Sequence, residues 1–182
     1  MVYILLGTGF EEAEAIVPAD LLRRAGVEVS LVGLSGSDVT GAHNITVKAD
    51  LTVDKAELSS LQALVLPGGM GGVTSILRSP RAMELIKQVY EEKNAYLAAI
   101  CAAPTILGAL GFLKGRRAVC YPGMEDQLTG AIPCTGEKAV VDGKLVTGQG
   151  PGAAFDFGLK LVELLKGEAA ARQVQDGTHY RH

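Results

Sequence analysis

Tyr96-Leu97-Ala98-Ala99-Ile100-Cys101-Ala102-Ala103-Pro104 joins five mostly apolar residues, the length of a buried strand, to a proline suited to the first turn of a helix. With helical spacing over residues 105–110, Cys101 falls on a strand-to-helix turn. The same step recurs on either side. Residues 2–6 read as a buried strand ended by Gly7-Thr8-Gly9, and residues 11–25 read as a helix stopped by Gly26. Residues 27–33 and 44–48 have strand character, and residues 63–66 run into Pro67-Gly68-Gly69, a strand halted by a glycine loop. Residues 80–92 read as a helix. Downstream, residues 117–121 predict a strand, and residues 139–141 and 144–146 flank Asp142-Gly143 as a two-residue hairpin. A last helix over residues 153–165 turns Phe155, Leu159, Val162 and Leu165 inward. Strands alternating with amphipathic helices predict an α/β fold: a mostly parallel sheet with helices on both faces.

The chain has 182 residues, 48% hydrophobic and 20% charged, enough for one domain with a core of its own, taken as residues 1–182. Seventeen Lys plus Arg against twenty Asp plus Glu leave a net charge of -3, so the basic surface that duplex nucleic acid requires is absent. Three cysteines without regular spacing argue against a disulfide framework and a Cys-rich zinc site, which fits a reducing cytoplasm. The first residues carry no basic leader, and no stretch is apolar and long enough to span a bilayer, so neither export nor membrane association is expected. No metal or cofactor motif is legible.

In an open parallel sheet, ligands bind beyond the carboxyl ends of the strands. Three loops lie there: residues 7–14, residues 68–72 and the turn at Cys101. Adjacent strands would gather an acid, a run of glycine amides and a thiol into one crevice. Cys101 at a helix start feels unpaired amides that favour its thiolate, which predicts a reactive sulfur open to solvent. The alternative is a small buried hydrophobe. Glu11 and Glu12 are explained by the helix dipole. Glu14 is not, since steps of three and four from it reach Val17, Leu21 and Ala25 on the apolar stripe. A carboxyl there either holds its proton beside a partner or escapes to solvent at the helix end. Residues 67–72 are rich in glycine but lack the Lys and Ser/Thr of a phosphate cradle and the spacing of a dinucleotide loop. They suit close backbone approach and an amide aimed at an oxyanion.

Cys120 reads as core within a strand, and Cys134 as a loop residue. His43 sits in a loop; His179 and His182 sit in a tail, residues 178–182, read as a solvated end. No Cys–His pair is evident unless His43 folds over the crevice.

The segment 98–104, preceded by Val65-Leu66-Pro67-Gly68-Gly69 and Glu11-Glu12-Ala13-Glu14, resembles the ThiJ/PfpI superfamily, in the branch of the parkinsonism-associated protein DJ-one and bacterial YajL. Gln149-Gly150-Pro151-Gly152 and Phe155-Asp156-Phe157-Gly158 are similar to the same branch, and the match keeps its order over residues 3–167. The resemblance implies a flavodoxin-like three-layer sandwich, a homodimer, and a cysteine on a strained elbow bonded to a protonated glutamate, positions matched by Cys101 and Glu14. It carries the oxyanion amides to Gly69 and Ala102, and it needs no cofactor. Gly68, Tyr121 and Pro151 are the substrate-pocket candidates, with Tyr121 standing where several relatives have a histidine.

The implied activity is a glutathione-independent glyoxalase or deglycase that acts on 2-oxoaldehydes or on early glycation adducts of protein or nucleotide. The alternatives are a redox sensor or chaperone-like stress protein that uses an oxidisable Cys101, and a superfamily amidase or peptidase.

Overall fold

The computed structural model describes residues 1–92 and 95–181. Its centre is a seven-stranded sheet. In chain order the elements are β1 (Val2–Leu6), α1 (Glu12–Arg24), β2 (Val29–Gly33), β3 (Asp38–Thr40), β4 (Thr46–Lys48), β5 (Leu51–Thr52) and β6 (Ala63–Leu66). They continue with α2 (Met70–Arg78), α3 (Pro80–Glu92), β7 (Tyr96–Ile100), α4 (Pro104–Ala109), β8 (Arg117–Ala118) and β9 (Ile132–Pro133). The last are β10 (Ala139–Asp142), β11 (Leu145–Gly148), α5 (Ala154–Lys166) and α6 (Glu168–Gly177).

The strand order is β10-β11-β7-β6-β1-β2-β5. Every pairing in it is parallel except β10 with β11. All residues of β1 and β6 are buried, as expected of strands covered on both faces, whose side chains have no solvent side to alternate toward. Helices α1, α5 and α6 pack together, and α2 packs with α3. The chain runs from β1 outward to β2, then returns to place β6 on the other side of β1. The crevice between β1 and β6 is thus the switch point where open α/β sheets bind ligands. Among the described residues, no helix is long and apolar enough to cross a membrane.

Several elements differ from the sequence reading. The strand expected over residues 117–121 is only two residues long and pairs with β9 outside the main sheet. Residues 44–48 contribute β4, which forms a separate hairpin with β3. The tight turn is Gly143-Lys144, since Asp142 pairs with Leu145. Gly143 has φ +63, so the glycine takes the first turn position, where a positive φ is needed.

On α5 the buried face carries Ala154, Phe157, Gly158, Leu159, Leu161 and Val162, while Phe155 and Leu165 are only half-buried. A Cβ on Gly158 would come within 2.8 Å of Leu21 Cδ1 and 3.1 Å of Pro18 Cα, so this glycine lets α5 approach α1 closely. The chain end is docked. Tyr180 stacks on Phe155 with ring centroids 4.6 Å apart and donates its hydroxyl to Asp156 Oδ2 at 2.6 Å. His182 lies outside the described residues.

Candidate functional site

Since β1, β6 and β7 are neighbours, their carboxyl ends bring the three loops together as expected. Cys101 follows β7 with φ +66, a left-handed conformation that strains any residue with a Cβ, by about 1 kcal/mol or more. Two backbone bonds hold it there: its N–H donates to the Gly148 carbonyl at 2.9 Å, and its carbonyl accepts from Tyr121 N–H at 2.8 Å. Gly148, which no sequence motif marked, is therefore part of the elbow. Pro104 then opens α4.

Glu14 lies on the buried face of α1 and is fully enclosed, which excludes an escape to solvent. Its Oε2 accepts the Gly68 N–H at 2.7 Å. Oε1 has no N–H or O–H donor among the described residues, and the Cys101 thiol faces the same carboxyl. A Cβ on Gly68 would lie 2.6 Å from Glu14 Oε2 and 2.7 Å from Cys101 Cβ, so only a glycine fits between acid and thiol. Burial raises the Glu14 pKa to about 7, against the opposing pull of the Gly68 amide and the thiol.

The sulfur departs from the sequence expectation. Cys101 keeps only 9% of its surface exposed, a narrow opening rather than an open perch. Burial pushes its thiol up to about 12, followed by the charge and hydrogen bond of an ionised Glu14. The amides of Ala102 and Gly69 pull the other way but are too few to prevail, and α4 begins three residues after the sulfur. The direction set by Glu14 depends on its proton: a carboxylate repels a sulfur anion, whereas a carboxylic acid donates to it. The pair thus carries one negative charge far more readily than two.

Gly69, at φ +79, is the residue preceding α2, and its amide and that of Ala102 both reach the sulfur. Tyr121 and Pro151 share an open pocket of about 330 Å³ with Pro122, Gln149, Gly150, Gly152 and Ala153. Gly68 does not line it and is buried against the acid and thiol. Tyr121 is 48% exposed and joins the pocket to the elbow through its N–H.

His43 does not fold toward the thiol. Its Nδ1 lies 2.9 Å from Glu12 Oε2, and its N–H donates to Glu12 Oε1 at 2.7 Å. Burial pushes the Glu12 carboxyl up, but these two bonds, together with the backbone amides of Glu12 and Ile45, outweigh it and hold the pKa below the ordinary value. Glu11, Glu12 and His43 bring three donor atoms within 4.8 Å of one another, and among the described residues no other such group of three has the chemistry to hold a metal ion. Cys120 is buried, and Cys134 is half-buried.

Comparison with known proteins agrees with this architecture. The DJ-1/PfpI family pattern matches residues 1–164. Protein dj-1beta of Drosophila melanogaster is 36% identical over 176 residues, covering 96% of this chain and 94% of its own. A deglycase of Pyrococcus abyssi is 34% identical over 166 residues, 91% of this chain and 99% of its own. The structure of oxidised Toxoplasma gondii DJ-1 superposes with a TM-score of 0.93 at 32% identity, covering 100% of this chain and 98% of that one. With the pattern spanning nine-tenths of the sequence and relatives above 30% identity along nearly its whole length, this chain belongs to the DJ-1/PfpI family.

Proposed function

We propose that the protein is a cysteine-dependent glyoxalase or deglycase that acts on 2-oxoaldehydes or their early glycation adducts, without glutathione, metal or cofactor. The observation that carries this reading is the pairing of Cys101 with the buried acid Glu14 under two backbone amides. The deglycase names of the archaeal relatives support it.

The reactive state arises when the Cys101 thiol passes its proton to the Glu14 carboxylate, which leaves the sulfur an anion and Glu14 the acid. The sulfur attacks the aldehyde carbon of methylglyoxal, and a C–S bond forms. The amides of Gly69 and Ala102 face the developing alkoxide, which takes the Glu14 proton to give a hemithioacetal. Glu14, now a carboxylate, removes the hydrogen on C1 and delivers it as a proton to C2, while the proton of the C1 hydroxyl passes to the C2 oxygen. C1 rises to the thioester level as the C2 ketone becomes an alcohol, so no external oxidant or reductant is needed. Water cleaves the thioester, releasing lactate and the thiol. For a glycation adduct, the same attack would expel the amine.

Lactate formation by the purified protein tests this reading, with Cys101→Ser and Glu14→Gln alongside. Both variants are expected to lose turnover; retained turnover in either refutes the role assigned to that residue.

A second reading takes the same thiol as a redox sensor, favoured by the unpartnered Glu14 Oε1, which can hold a proton for an oxygen added to the sulfur, and by the oxidised Toxoplasma relative. Selective oxygen addition at Cys101 by limited peroxide, with negligible lactate formation, would favour it. The working unit under either reading is taken as a cytoplasmic homodimer, which light scattering on the eluting protein tests for its mass.

A further inference from the structure

Glu11, Glu12 and His43 take no part in the chemistry above. Residues 40–43 run beside residues 9–12: Gly9 N–H donates to the Thr40 carbonyl at 2.8 Å, and Ala42 N–H donates to the Phe10 carbonyl at 2.9 Å. A Cβ on Gly41 would run into the Glu12 carboxyl, so the backbone between β3 and β4 wraps that acid closely. Three side chains from two segments converge there. His43 Nδ1 lies 2.9 Å from Glu12 Oε2 and 3.7 Å from Glu11 Oε2, and one donor atom from each residue lies within 4.8 Å of the other two.

This spacing is that of a coordination sphere. A cation about 2.0 to 2.2 Å from each of its tetrahedral donors sets them about 3.3 to 3.6 Å apart, and the two observed distances lie on either side of that range. Small rotations of Glu11 and His43, neither of them fully enclosed, close the difference. The charge around the cluster is a separate observation. Among the described residues no Lys or Arg forms an ion pair with Glu11, Glu12 or Glu14, all at the start of α1. The Glu12 side chain is only 9% exposed, and its one facing cation is His43, itself charged only when protonated. A buried carboxylate without a fixed cation is costly, and a metal ion supplies that charge when the imidazole is neutral.

We propose that Glu11, Glu12 and His43 form a binding site for a divalent transition-metal ion of the Zn2+ class, held by His43 Nδ1 and one oxygen of each carboxylate. An imidazole nitrogen with two carboxylates suits such an ion, whereas Ca2+ and Mg2+ favour shells of oxygen alone. Nδ1 releases its hydrogen to solvent as the metal binds. Glu12 Oε1 keeps the His43 N–H at 2.7 Å, which holds the ligating carboxylate in place. Three protein donors leave the remaining position to water. The ion ties the β3–β4 hairpin to the start of α1, where Glu11 N–H holds the Gly68 carbonyl at 3.0 Å. It thus sits beside the thiol site without entering its chemistry, and the proposal does not depend on the activity assigned to Cys101.

Calorimetric titration of Zn2+ into the full, reduced chain tests this. One equivalent is expected to bind in the micromolar range. His43→Asn and Glu11→Gln are each expected to weaken binding about tenfold or more, while Cys101→Ser and His179→Asn leave it unchanged, which separates the cluster from the thiol and the tail. Co2+ in the same position is expected to show visible absorption without the near-ultraviolet band of a cobalt–thiolate bond. In the wild type, the His43 imidazole resonances are expected to shift at one equivalent of Zn2+, a readout that does not rely on any variant folding. No binding, affinity retained by both cluster variants, a cobalt–thiolate band, or His43 resonances that one equivalent leaves in place would each overturn the proposal.

Discussion

Replacing Glu14 with Gln removes a buried ionisable group while keeping its shape, and the consequence for stability follows from the direction of its pKa. In the folded chain the carboxyl titrates near 7, against 4.5 as its ordinary value, because burial penalises the charged form. Below pH 4.5 the acid is neutral in both folded and unfolded chains. Between 4.5 and 7 the unfolded chain releases this proton and the folded one keeps it, so stability falls as pH rises, and above 7 the full loss is reached. Moving from 4.5 to about 7 corresponds to about 3 kcal/mol.

Glu14→Gln lacks this loss, since its amide oxygen can still accept the Gly68 N–H, and its NH2 faces the sulfur as a donor. Urea unfolding of both proteins under reducing conditions, from pH 5 to pH 9, is expected to show the variant gaining on the wild type by about 2.5 kcal/mol across that span, the rest having been lost below pH 5. Every other titrating group cancels in the difference, apart from Cys101, which is coupled to Glu14. Parallel profiles for the two proteins would show that Glu14 is ionised in the fold at low pH, and the assignment of the held proton would fail.

Gly68→Ala forces a Cβ to within 2.6 Å of Glu14 Oε2 and 2.7 Å of Cys101 Cβ. A cost of about 1 to 3 kcal/mol and loss of Cys101 alkylation kinetics are expected; a variant matching the wild type in both would show that the contact is not tight. The His43 pKa is raised by its hydrogen bond to Glu12 and then by the charges of Glu11 and Glu12, so its contribution favours folding below the ordinary histidine pKa and fades as pH rises past the folded value. Nuclear magnetic resonance titration of Glu12→Gln is expected to return the imidazole toward 6.5, and an unchanged midpoint would contradict the pairing. Tyr180→Phe removes the 2.6 Å bond to Asp156 and is expected to cost about 1 kcal/mol and to speed amide exchange in α6. Unchanged exchange there would mean that the terminus is held otherwise.

The sequence carried the centre of this molecule better than its margins. The bounds of β1, β6 and β7 were legible because a strand buried on both faces is a short apolar run, and glycine or Cys-Ala-Ala-Pro ended each one sharply. Glu14 was legible because a carboxyl on an apolar stripe has no cheap explanation. The face of α5 was half legible: Leu159 and Val162 are buried as expected, whereas Phe155 and Leu165 lie at its edge, and Gly158, a glycine in mid-helix, was the available sign that the close contact lay on its side. The two-residue β8 was overread because residues 117–121 are extended and largely apolar without joining the main sheet. Helix α6 went unmarked since its buried residues are mainly alanine and valine. The direction of the Cys101 pKa was not legible at all, because local amides are visible in a sequence and desolvation by the remote Glu14 and its surroundings is not.

The central claim is that Cys101 carries the substrate covalently while Glu14 moves its proton. Acid quenching during methylglyoxal turnover tests this most directly, since a thioester survives acid denaturation and a hemithioacetal does not. The account predicts a mass gain of one methylglyoxal on the Cys101 peptide of the wild type, removed by hydroxylamine and absent in Glu14→Gln. Turnover with no acyl group on Cys101, or an equal acyl load in the Glu14 variant, would contradict it.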